Sequence, residues 1–178
     1  MIAELIRMWA VALADPTLGV NAQIAALVMD TTVAGITDTR PPNIVKILNQ
    51  ADHNVEVHEG EGAAQYPLIL VGTNSPFGGL AQTWNGVQDT SGDLHAVYVT
   101  HGGSAAQNFL ATDYTLRAMK RATHAYLLAT GRDTFRKRNT IGISTTNQVE
   151  IVHAEGDKYG GEVAGFLKWI FTARDLAP

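Results

Sequence analysis

Tyr66-Pro67-Leu68-Ile69-Leu70-Val71-Gly72 is the most continuous apolar strand segment in the chain. A run this short, bounded by proline and glycine and carrying β-branched Ile69 and Val71, reads as a strand buried on both faces or nearly so. Toward the C-terminus it passes into Thr73 to Gly79, rich in Asn, Ser, Pro and Gly, which reads as an irregular loop. Leu80 to Trp84 then reads as a short strand, Asn85-Gly86 as a tight turn, and Leu94-His95-Ala96-Val97-Tyr98-Val99-Thr100 as a further strand. Toward the N-terminus, Gly60-Glu61-Gly62 is a loop and Asn54-Val55-Glu56-Val57-His58 alternates as a half-buried strand does. Before these, Asn43 to Leu48 reads as the first strand, preceded by a turn-rich stretch from Thr31 that ends in Arg40-Pro41-Pro42.

Helices frame this strand-rich middle. Residues 2 to 13 place Ile2, Leu5, Ile6, Trp9 and Leu13 on one stripe, with Glu4 and Arg7 off it, and Pro16 and Gly19 end the pattern. Asn21 to Val28 reads as a second short helix with Asn21 near its N-cap. A third is expected from a Thr112 or Asp113 cap to about Thr130, where Gly131 supplies the stop. Its apolar stripe is Leu116, Met119, Thr123, Tyr126 and Leu127, and its opposite face carries Arg117, Lys120, Arg121 and His124. Gln148 to His153 and Gly165 to Thr172 read as two strands joined through the turn-rich Glu155 to Gly161, and antiparallel pairing follows because so short a connection cannot make a parallel crossover. The expected fold is α+β, a mixed and mainly antiparallel sheet with helices packed on one face, and the expected domain is single, spanning 1–178.

Composition narrows the chemistry. The 178 residues suffice for one core. Cysteine is absent, which excludes disulfides, thiolate nucleophiles and Cys-based metal or iron-sulfur sites. Glu4 and Arg7 interrupt the apolar N-terminal stretch, and no run approaches the length of a membrane span, so a cytoplasmic site of synthesis and no membrane partner are expected. Net charge is −4, which argues against the whole chain being a nucleic-acid binder. The distribution of charge says more. Between Lys46 and Arg117 there is no Lys or Arg, while Asp52, Glu56, Glu59, Glu61, Asp89, Asp93 and Asp113 fall there; from Arg117 to Arg138 seven cations stand against Asp133 alone. An acidic patch on one copy meeting a basic patch on the next would suit head-to-tail ring assembly, and solvated faces that touch nothing are the plain alternative. Only 17% of the residues are charged, which also suits buried subunit contacts.

Catalytic constellations are not legible. His53 and His58 lack the His-Glu-x-x-His arrangement, and His95 and His101 bracket a strand and so start about 20 Å apart. His101-Gly102-Gly103-Ser104 is not accompanied by a Gly-x-Ser-x-Gly elbow, and Gly72 to Gly79 lacks the Gly-Lys-[Ser/Thr] ending of a phosphate cradle. No catalytic, cofactor-binding or metal residue is therefore assigned, and no cofactor is expected. Arg132, Arg136, Lys137 and Arg138 are the expected interface or lumen-facing arm, with non-specific contact to DNA as one of its uses. Trp9, Trp84 and Tyr159 are candidate contact anchors, with core packing the preferred reading of Trp9.

The order of elements, and in particular Tyr66-Pro67-Leu68-Ile69-Leu70-Val71, then Leu94-His95-Ala96-Val97-Tyr98-Val99, then the helix containing Leu116-Arg117-Ala118-Met119, resembles the tail-terminator and neck proteins of tailed bacteriophages. That resemblance implies a non-enzymatic virion protein with helices packed on a mixed sheet. It also implies a homo-oligomeric ring, a hexamer in the family, that ends tail-tube growth and joins the tail to the head. The implied partners are the tail-tube protein and the head-completion or connector proteins, with passing DNA in the ring. The implied location is the virion, after assembly in the host cytoplasm. The segments from Gly72 to Asp93 and from Asp133 to Asn147 exceed what a minimal member needs, which leaves the position in the neck open. Two other readings stand beside it: another neck, head-completion or tail-tube subunit, and a small hydrolase with a site scattered over His58, His95, His101, His153 and aspartates.

Overall fold

The computed structural model describes residues 2–29, 40–52, 66–73, 82–84, 87–100, 105–126, 128–129, 143–144, 149–153 and 163–176. Among these residues three helices, α1 (Ile2–Ala14), α2 (Val20–Ala25) and α3 (Ala105–Tyr126), accompany seven strands. The strands are β1 (Lys46–Asn49), β2 (Leu68–Gly72), β3 (Gln82–Trp84), β4 (Val87–Thr100), β5 (Ile143–Ser144), β6 (Val149–His153) and β7 (Val163–Leu176). They form one sheet in the order β1-β2-β4-β7-β5, with β3 added to β4 and β6 to β7. Only β1 and β2 run parallel; every other pair is antiparallel. The expected α+β fold with a mixed, mainly antiparallel sheet is the fold observed.

Period-two alternation decides which sheet face meets the helices. Ile69 pairs with Tyr98 and Val71 with Ala96, so these four share a face, and with Leu94 they form one buried cluster. Leu5, Ile6, Trp9 and Leu13 of α1, Val20 and Ile24 of α2, and Leu116, Ala118, Met119 and Ala122 of α3 complete that cluster. The stripe read from residues 2 to 13 is thus the core face of α1, and Trp9 is a core residue. Fully burying a side chain such as Leu13 stabilises by about 1.5–3 kcal/mol, so α1 is held by its packing and not by its modest length. Ala118 and Ala122 are fully buried in the same cluster.

Side-chain hydrogen bonds fix the joints. Asp15 ends α1: its carboxylate accepts from the Thr17 and Leu18 amides and the Thr17 hydroxyl, each at 2.8 Å. Those bonds, Leu18 first, hold the Asp15 carboxyl below its ordinary pKa. Asn21 does not cap α2, whose N-cap is Gly19 with no side-chain bond. Instead Asn21 mimics a strand neighbour, donating from Nδ2 to the Ile44 carbonyl at 3.1 Å and accepting from the Ile44 amide at 2.7 Å. Arg40 closes the C-terminal end of α2 by donating to the carbonyls of Ile24, of Ala25 at 2.6 Å and of Leu27 at 3.0 Å. Carbonyls at a helix end lack intrahelical partners and carry partial negative charge, so a guanidinium is well matched to them. On the outer surface Arg7 meets Asp52 at 2.6 Å, tying α1 to the chain just past β1.

Several elements differ from the sequence reading. The first strand begins at Lys46, and just ahead of it the Val45 amide donates to the Pro67 carbonyl at 2.9 Å. β4 starts at Val87, seven residues before Leu94, and pairs with β7 along its full length from Val87↔Leu176 to Thr100↔Val163. Thr90-Ser91-Gly92-Asp93 carries loop composition, and cross-strand pairing with Ile170 to Ala173 overrides it. α3 starts at Ala105 and not at a Thr112 or Asp113 cap. Thr112 lies inside the helix with its hydroxyl donating back to the Asn108 carbonyl at 2.7 Å, the alternative to capping open to a threonine. α3 ends at Tyr126, while Leu127 and Gly131 lie outside the described residues. So do the strand read at Asn54 to His58, the loops Gly60 to Gly62 and Glu155 to Gly161, and Thr31 to Thr39. The Tyr66-Pro67 peptide bond is cis, which the sequence does not announce.

Candidate interaction surface

Helix α3 divides its residues cleanly. Leu116, Met119 and Thr123 are buried, as are Thr112, Thr115, Ala118 and Ala122, and Tyr126 is half-buried. Arg117, Lys120, Arg121 and His124 are exposed, as the period of 3.6 requires of the face opposite the sheet. Arg117 is steered at two points: its guanidinium meets Asp113 one turn earlier at 2.7 Å, and it lies 5.6 Å from the centroid of the Tyr114 ring. At 61% side-chain exposure this i,i+4 pair contributes a few tenths of a kcal/mol at most and chiefly orients the arginine. Lys120, Arg121 and His124 make no ion pair with any described residue. Of these only His124 lies in the last turn of α3, at the negative end of the helix dipole.

Beneath that face the contacts of α3 with α1 and with the sheet include polar groups. Trp9 Nε1 donates to Thr123 Oγ1 at 2.9 Å. Tyr98 on β4 is fully buried, and its hydroxyl and Thr115 Oγ1 have no hydrogen-bond partner among the described residues. Burial raises the Tyr98 pKa, opposed by the neighbouring Thr100 and Thr115 hydroxyls. These groups sit between two packed layers. They are structural.

The remaining expected positions fall as follows. Arg132, Arg136, Lys137, Arg138 and Tyr159 lie outside the described residues, as do His53, His58 and His101. Trp84 sits on β3 in register with Val87 of β4, while Asn85-Gly86, read as a tight turn, lies outside the described residues. His95 is half-buried on β4, in register with Gly72 and Lys168, and His153 pairs with Val163 near the other end of the sheet. His95 and His153 are thus held on different strands, β4 and β6, with β7 between them. Among the described residues no cluster of three or more His, Asp or Glu could hold a metal ion, and no helix is long and apolar enough to cross a membrane. Arg40 and Asn21 are the anchoring residues that sequence reasoning missed; the double proline after Arg40 was the only local signal, and it pointed to a turn. Comparison with models of known protein families and with curated proteins returns no match to this chain.

Proposed function

We propose that the chain is a structural subunit of the head–tail junction of a tailed bacteriophage, a tail terminator whose copies close into a ring that caps the tail tube and joins it to the head connector. The observation that carries this reading is the order and pairing of the elements. An amphipathic α1, the apolar β2 beside a long β4, α3 laid over the sheet and a closing antiparallel β6–β7 pair follow the layout that the sequence resemblance implies. The separation of acidic and basic segments along the chain also favours a head-to-tail contact, since each copy then offers two unlike surfaces. In this reading Arg132, Arg136, Lys137 and Arg138 form the interface or lumen-facing arm, Trp84 and Tyr159 anchor contacts, and the partners are further copies, the tail-tube protein and the connector. The work of the chain is binding, with no bond made or broken and no cofactor.

Mass photometry of the purified chain, alone and mixed with the tail-tube protein, tests it. A discrete species at a small multiple of the 19.1 kDa protomer is expected, six-fold if the family's ring size holds. Monomers alone in both samples would overturn the proposal.

A further inference from the structure

We propose that the exposed face of α3 formed by Arg117, Lys120, Arg121 and His124 binds duplex nucleic acid through its phosphates, without reading base sequence. The contact itself rests on the geometry of α3; the neck role proposed above supplies only the source of the duplex. The four residues fall at positions i, i+3, i+4 and i+7, a single line about 10 Å long on the helix surface. Duplex DNA carries one negative charge per about 1.7 Å of its axis, so a row of cations on this scale spans several phosphates. Among the described residues of α3, Asp113 is the one acid bordering the line, and it is already engaged by Arg117. Lys120 and Arg121 are left with their charge directed to solvent.

The composition of the face separates a nucleic acid from a protein partner. Protein interfaces centre on apolar or aromatic anchors ringed by polar groups. Between Asp113 and His124 the exposed residues are all ionic or imidazole, and the exposed apolar residues Phe109 and Leu128 lie beyond either end. The Tyr114 ring is buried beneath Arg117 and offers no free stacking surface. A surface with charge and no apolar centre suits a polyphosphate. It offers nothing to discriminate bases. Because the whole chain carries a net charge of −4, the attraction is local and strongly dependent on salt.

The test uses the full chain, two fluorescent duplexes of about 30 base pairs with unrelated sequences, and anisotropy titrations from about 50 to 200 mM salt. Equal affinity for both duplexes and a linear fall of log K with log salt are expected. K120Q/R121Q should flatten that slope by about two, and K120E/R121E should weaken binding at least about tenfold. Both positions are exposed on a helix, so circular dichroism should stay as in the parent, and mass photometry of the same samples reads assembly separately. Failure of the parent to bind at the lowest salt, or unchanged binding in both variants, overturns the inference. A variant that stops assembling assigns the face to a protein partner and also overturns it. Duplex binding lost in the variants of a chain that is monomeric throughout upholds the inference and removes the ring.

Discussion

The indole Nε1 of Trp9 and the hydroxyl of Thr123 form a buried hydrogen bond of 2.9 Å that joins the first helix to the third across 114 residues of sequence. Thr123→Val keeps the shape and strands the indole N–H, which should cost about 1–3 kcal/mol in urea denaturation. Trp9→Phe in the Thr123→Val background should cost less than in the parent, with a coupling energy of about 1 kcal/mol. Strict additivity of the two changes would show that the helices are joined by packing alone.

Arg40 donates to three carbonyls at the end of α2, a match of charge and fork geometry. Arg40→Ala should lower stability by about 1–3 kcal/mol, and Arg40→Lys, which keeps the charge and loses the fork, should recover part of it. A lysine variant equal to the parent would reduce the contact to simple charge. An alanine variant equal to the parent would remove it from the account.

Tyr98 is the converse case, a buried hydroxyl with no partner among the described residues. Tyr98→Phe should change stability by less than about 1 kcal/mol, because the hydroxyl lies beside those of Thr100 and Thr115 but makes no bond of good geometry that the change would break. The pH dependence has a definite sign. Burial raises the phenol pKa, so the folded chain holds this proton more tightly than the unfolded one. The resulting stability is full below the unfolded tyrosine value near 10 and is lost as pH rises through the folded one. Thermal denaturation should therefore fall less steeply above about pH 10 in Tyr98→Phe than in the parent. A variant losing more than about 1 kcal/mol at neutral pH would mean that the hydroxyl is satisfied.

Gly19 sits where the chain turns from α1 into α2, and its amide donates to the Asp15 carbonyl at 2.8 Å. A Cβ there would lie 2.3 Å from the Asp15 carbonyl oxygen and 2.5 Å from that of Leu13. Both are backbone atoms with no rotamer to yield. Gly19→Ala should destabilise by about 1–3 kcal/mol by thermal or chemical denaturation, and a neutral result would show that the turn has room to open.

What the sequence discloses here is what short-range periodicity controls. The stripe Leu5, Ile6, Trp9, Leu13, the two-sided burial of Leu68 to Val71 and the ionic face of Arg117 to His124 all follow from a single element meeting a single layer. Where the structure departs from the reading, a partner distant in sequence decides. Val87 to Asp93 is strand because β7 lies beside it, 77 to 89 residues later in the chain by the pairing of Asp93 with Ile170 and of Val87 with Leu176, against a composition that favours a loop. Thr112 and Asn21 are good capping residues by type, yet one turns its hydroxyl back to Asn108 and the other reaches Ile44. Arg40 looks like a surface charge ahead of two prolines until the end of α2 is placed against it. The basic face of α3 was legible in full, because exposure on a helix packed on one side is fixed by the helical period alone.

The proposed ring places this chain's contacts on neighbouring subunits at the junction between head and tail. Cryo-electron microscopy of the intact particle, with this chain fitted into density, tests that placement most directly. A ring of its copies between the last layer of the tail tube and the head connector is expected. Absence of the chain from the particle, or its presence there as an isolated copy away from that junction, would contradict it.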